Sequence, residues 1–112
     1  MSPSPLILTD MSTKTFRDFF AARRRGVLLG ALAECAPGSA AAVDLLQRYL
    51  VSINMRSTTD EVEADLRWMS ERALVQMGQA GSVVTAVITR TGRDVVQRLT
   101  TVPGVDVADA GD

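Results

Sequence analysis

The residue pattern predicts an α+β chain folded as a winged helix-turn-helix, and three observations carry that expectation. Three helical apolar patterns come first, at three- and four-residue spacing. Two apolar, β-branched runs follow, "ALVQMG" and "SVVTAVIT", separated by the glycine-bounded stretch "GQAG". A final helical pattern, "RTGRDVVQRL", closes the order. Three helices, a two-stranded wing and a C-terminal helix are the expected elements.

The chain has 112 residues, enough for one core and too few for two. Its formal net charge is −1, so no global field marks a nucleic-acid or polybasic membrane protein, and any DNA affinity must come from a local patch. Residues 1–12 read as a flexible arm, 13–100 as the winged-helix domain, and 101–112 as an acidic mobile tail with a Pro-Gly break. The apolar stretch "PLIL" is too short for a signal core or a membrane span. One cysteine and no histidine leave no disulfide framework and no ordinary metal site, and a cytoplasmic setting fits best. No cofactor, membrane partner or small-molecule substrate is expected.

The first helix should begin at Thr13, capped by Ser12 or Thr13, and bury Phe16, Phe20, Val27, Leu28, Ala31, Leu32 and Cys35. Pro37-Gly38 ends it. Ser39 should cap the second helix, "SAAAVDLLQRYLVSI", with Val43, Leu46 and Leu50 inward. Thr58 and Glu61 match a capping box at the start of the third helix, whose Val62, Leu66, Met69 and Ala73 share a narrow arc. Thr89 should cap the last helix, which would bury Val95, Val96 and Leu99, although Gly92 lowers its helix propensity.

The third helix carries the functional question. Opposite its apolar arc stand Asp60, Glu63, Ala64, Arg67 and Glu71, more acid than base. Carboxylates set into a DNA groove would face phosphates at close range, which is repulsive. Glu63, Arg67 and Glu71 form a charge ladder at four-residue spacing, a pattern that commonly does no more than solvate a helix. The helix start is different. Arg56, Ser57, Thr58 and Thr59 can donate to phosphates there. The wing tip has no Lys or Arg, though Gln79 and Ser82 can hydrogen-bond to a backbone. Trp68 lies at the edge of the buried arc, either covering the core or anchoring an interface.

In the run Arg23-Arg24-Arg25, helical phase turns Arg24 inward, where it needs a partner such as Asp65 or Glu34, while Arg23 and Arg25 flank it as phosphate-contact candidates. Arg90, Arg93 and Arg98 form a second weak basic patch. Cys35 reads as a core thiol. With no His base, phosphate loop or nucleophile elbow, there are no candidate catalytic residues, and an enzyme is not expected.

Three pieces of the chain resemble a known family. They are "FRDFFAARRRGVLLGALAEC", "VEADLRWMSERALV", and "AVITRTGRDVVQ" with the closing "TVPGV". In that order they are similar to the small ArsR-like winged-helix proteins of Mu-like transposable phages and prophages. The resemblance implies a phage-type, DNA-binding transcription regulator. Where the family has glycine before the "LV" that opens the wing, this chain has Ala73, which implies a strained or differently closed helix end. The absence of thiol or imidazole clusters removes the metal-sensing mode of the wider superfamily.

Two readings stay open. In one, a homodimer binds DNA through Arg56, Ser57, Thr58, Thr59, Arg67, Gln79, Ser82, Arg23 and Arg25. In the other, a protein–protein interaction module presents Asp60, Glu63, Trp68 and Glu71 to a host or phage protein.

Overall fold

A computed structural model describes residues 15–107. Among them are four helices and a three-stranded antiparallel sheet, in the order α1 (Phe16–Ala33), β1 (Ala41–Ala42), α2 (Val43–Ser52), α3 (Thr59–Ser70), β2 (Val75–Ala80), β3 (Val83–Ile88) and α4 (Arg90–Val96). The sheet order is β1-β3-β2. No helix among the described residues is long and apolar enough to cross a membrane.

The core forms where the helical spacings converge on one face of the sheet. Leu28, Leu29 and Leu32 of α1 meet Leu46 and Leu50 of α2, and Val62, Leu66 and Met69 of α3. Leu74, Val75, Ala86, Ile88 and Val95 close it from the hairpin and α4. Each fully buried leucine contributes about 1.5–3 kcal/mol of transfer free energy, so α1, supplying three, is the central element.

Several expectations change. The first helix starts at Phe16, not Thr13, because Thr15 and Asp18 form a reciprocal capping box; Ser12 and Thr13 lie outside the described residues. Phe16 is therefore 79% exposed rather than buried. Ser39 does not cap α2. Ala41 and Ala42 pair with Ala86 and Thr85 as a third strand, and α2 begins only at Val43 with no side-chain cap. Two alanines carry no period, so helix propensity hid a strand that is set by tertiary pairing. The hairpin is also tighter than expected: Gln79 and Ala80 belong to β2, and the tip is Gly81-Ser82. Cys35 lies beyond the end of α1, half-buried against the core. Leu99 is 71% exposed, because α4 ends at Val96.

Gly92 has a tertiary reason to be glycine. A Cβ there would lie 2.2 Å from the Leu74 carbonyl oxygen, so α4 packs against the chain entering β2 only without a side chain. Thr89 caps α4 as expected, accepting from the Gly92 amide at 3.0 Å. Its hydroxyl also reaches the Ala73 carbonyl at 2.6 Å, tying α4 to the end of α3.

Three helices close in the same way. The amides of Met55, Leu74 and Leu99 reach back five residues to the carbonyls of Leu50, Met69 and Asp94, at 2.8, 3.0 and 2.9 Å. The residue before each is left-handed: Asn54 at φ 69°, Ala73 at φ 62° and Arg98 at φ 64°. This is the Schellman closure, which glycine usually serves. Asn tolerates that region, whereas Ala73 and Arg98 carry its Cβ cost. Ala73 is consequently exposed rather than in the core, and its strain matches the departure noted at that position. Ala73→Gly should relieve about 1 kcal/mol and raise the melting temperature by about 4 °C. Thermal unfolding followed by circular dichroism checks this; an unchanged or lower midpoint contradicts it.

Candidate nucleic-acid interface

A buried carboxylate joins α1 to α3. Asp65 of α3 is buried, with 5% of its side chain exposed, and both of its oxygens are used. Oδ2 accepts from Arg24 Nε, and Oδ1 from Arg25 Nε at 3.1 Å. Arg24 Nη1 also donates to Ser57 Oγ at 3.2 Å, and Arg25 Nη1 to the Gly104 carbonyl at 2.9 Å. The Ser57 hydroxyl donates to the Met55 carbonyl at 3.1 Å, and Gln47 Nε2 donates to the Ser57 carbonyl at 2.9 Å. No buried side-chain N or O among the described residues lacks a partner. The expectation that Arg24 needs a carboxylate is met by Asp65 and not by Glu34.

Of the DNA-contact candidates, Arg25 and Ser57 are thus turned inward. Arg25 shares the one carboxylate of Asp65 with Arg24, and its guanidinium lies 4.1 Å from the centre of the Trp68 ring. Arg72 covers the same indole at 3.6 Å and donates to the Trp68 carbonyl. Trp68 is thus layered between two arginines, with Gly104 against its edge. These stacked cations lie over the indole, which is half-buried against the core.

Residues 101–107 form part of this construction, so packed structure extends beyond residue 100. Val102, Val105 and Val107 pack against the core, and the Asp106 amide donates to the Ala22 carbonyl at 3.0 Å. A Cβ on Gly26 would fall 1.9 Å from the Asp106 carbonyl oxygen, so glycine is what lets this segment lie on α1. Arg23 pairs with Asp106 at 3.6 Å but stays largely exposed. Residues 108–112 lie outside the described residues.

The remaining candidates separate into distinct places. On α3, Arg67 donates to Glu63 at 2.9 Å, and both line an open cleft of about 350 Å³ with Met77 and Gln79 of the hairpin. Ser82 is exposed at the tip. Asp60 and Glu71 are exposed, Glu71 lying 3.8 Å from Arg72, so the outward face of α3 is acidic as its phase predicts. At the start of α3, Thr58 accepts from the Glu61 amide at 3.1 Å, and Glu61 accepts from the Thr58 amide at 2.9 Å. That backbone bond, with help from Arg24, the Thr58 hydroxyl and Arg17, holds the Glu61 carboxyl below the usual glutamate range. The Thr58 and Glu61 amides are thus capped from within, and Arg56, Thr58 and Thr59 are exposed there beside Asp60 and Glu61, whereas Ser57 is buried. In the second basic patch, Arg93 donates to the Ala33 carbonyl and Arg98 to the Val107 carbonyl.

A second cleft, of about 490 Å³, opens between the first turns of α1 and α3. Phe16, Arg17, Asp18, Phe20, Arg56 and Glu61 line it, together with Arg24. Arg17 and Arg56 make no hydrogen bond or ion pair among the described residues. No protein-family model, curated protein or solved structure matches this chain. Arg17 and Phe16 escaped the candidate set because the apolar stripe of α1 was projected one turn too far. The cluster of Phe16, Phe19 and Phe20 ahead of the three arginines was the available signal.

The docked segment gives a direct test. A chain ending at Thr100 loses the Gly104 contact and the cover over Arg25, so Trp68 gains water. Its emission should shift to the red by about 5–10 nm, and stability should fall by about 2 kcal/mol, the scale of burying one or two valines. An unchanged spectrum and midpoint contradict the docking.

Proposed function

We propose that this chain is a small winged-helix, phage-type regulatory protein that binds nucleic acid with the start of α3 and the neighbouring turn of α1, not with the centre of α3. The observation carrying this reading is the pair of exposed guanidinium groups, Arg17 and Arg56, at one cleft beside the exposed Thr59. The element order supports it, since a β2–β3 hairpin following α3, with β1 completing the sheet, is the arrangement of a helix-turn-helix unit with a wing. The resemblance to ArsR-like proteins of Mu-like phages points the same way. Of the residues first considered, Arg56, Thr58, Thr59, Arg67, Gln79, Ser82 and Arg23 stay accessible. Arg67 is balanced by Glu63 and contributes little net charge.

A second reading rests on a different surface. Leu45 and Tyr49 on the outer side of α2, and Ile53 at its C-terminal cap, recur at four-residue spacing and are 58%, 42% and 40% exposed. With the acidic face of α3 (Asp60, Glu63, Glu71), they favour a protein partner or a second copy of the chain.

Fluorescence anisotropy against labelled DNA at about 50 and 200 mM salt tests the first reading. The Arg17→Ala/Arg56→Ala double variant should bind several-fold more weakly and reduce the salt slope by about 2, one per lost phosphate contact. Absence of binding at the lower salt contradicts the reading. Equal slopes for parent and variant would contradict this choice of arginines.

A further inference from the structure

We infer that the cleft between α1 and α3 takes an unpaired nucleotide of a single strand, its base against Phe16 and its phosphate between Arg17 and Arg56. The inference rests on the nucleic-acid reading above and narrows it to one kind of ligand.

The cleft pairs two unlike chemistries. Its apolar part is Phe16, mostly exposed, meeting Phe20 edge-on with ring centres 6.0 Å apart at 71°. Phe20 is backed by the Arg24 guanidinium 5.6 Å from its ring centre, and Arg24 is itself held by Asp65 and Ser57. One ring is therefore fixed and the other presented to solvent. The charged part is Arg17 and Arg56. Asp18 and Glu61 also line the cleft, each held at a helix start, where Asp18 accepts from the Thr15 amide at 3.1 Å and Glu61 from the Thr58 amide at 2.9 Å, while the donors of Arg17 and Arg56 are unengaged among the described residues.

A purely apolar ligand would bury guanidinium groups without partners, which is costly. A bare anion would leave the phenyl rings in water. A flat ring joined to a phosphate satisfies both, and base stacking on an aromatic side chain is the ordinary means of holding unpaired nucleotides. Duplex DNA fits less well on two counts. Its bases are stacked inside and cannot reach Phe16. Its width would also bring phosphates against Asp60, Glu63 and Glu71 on the outward face of α3. A single strand can follow the cleft without meeting those carboxylates.

The test compares a labelled mixed-sequence 12-nucleotide single strand with its duplex at about 50 mM salt, using the parent, Phe16→Ala, Phe19→Ala and Arg17→Ala/Arg56→Ala. Phe16 and Phe19 are both largely exposed, but only Phe16 lines the cleft, so Phe19→Ala controls for general loss of aromatic surface. Melting curves confirm that each variant is folded. The parent should prefer the single strand. Phe16→Ala should weaken that binding about tenfold, the scale of one lost stacking contact, and leave duplex binding and the Phe19→Ala control unchanged. The double arginine variant should weaken both. If the duplex binds as tightly as the single strand and Phe16→Ala has no effect, this inference is overturned while the nucleic-acid reading stands. A mononucleotide binding as tightly as the strand would also overturn it, in favour of a small-molecule site. Failure of both nucleic acids to bind overturns both readings.

Discussion

Asp65 takes a carboxylate into the interior of a small protein, and two guanidinium groups must accompany it. An isolated buried charge costs several kcal/mol, so the site holds only while both oxygens are engaged and the surplus donors find acceptors. Arg24 and Arg25 meet the first condition, while Ser57 and the Gly104 carbonyl meet the second. Those four partners come from α1, from the turn before α3 and from the segment after α4. One carboxylate therefore sets the angle between α1 and α3, the conformation of residues 55–58, and the docking of residues 101–107. Trp68, one turn along α3, adds a flat surface over which Arg25 and Arg72 lie.

This arrangement decides how positive charge is distributed on the outside. The triple arginine run resembles a phosphate-binding patch, but Arg24 and Arg25 are turned inward and Arg23 is held near Asp106. On α3, the pairing of Arg67 with Glu63 leaves Asp60 and Glu71 to dominate its outward face. The guanidinium groups without an ion pair or hydrogen bond among the described residues are Arg17, Arg56 and Arg90. Arg17 and Arg56 meet at one cleft, away from the middle of α3.

Much of the α+β plan was legible from periodicity: α2, α3 and the β2–β3 hairpin each follow their apolar spacing, and the caps at Thr58 and Thr89 follow from their polar residues. Strand β1 was not, because Ala41 and Ala42 have no pattern until β3 lies beside them. The helix ends were obscured by left-handed Ala73 and Arg98, positions where glycine would have signalled the stop. Within the site, the need of Arg24 for a carboxylate was readable from phase alone. The second arginine on Asp65, the arginine layers around Trp68 and the return of Gly104 were not. They depend on residues brought together from α1, α3 and the segment after α4, which no local window contains.

The dependence of the fold on Asp65 is most directly measured by urea unfolding of Asp65→Ala beside Glu63→Ala, which removes an exposed carboxylate from the same helix. Asp65→Ala should lose about 3–5 kcal/mol, because two arginines are left without their counter-ion, and Glu63→Ala under about 1 kcal/mol. Equal, small losses from both variants would contradict that dependence and reduce the buried carboxylate to one contact among many.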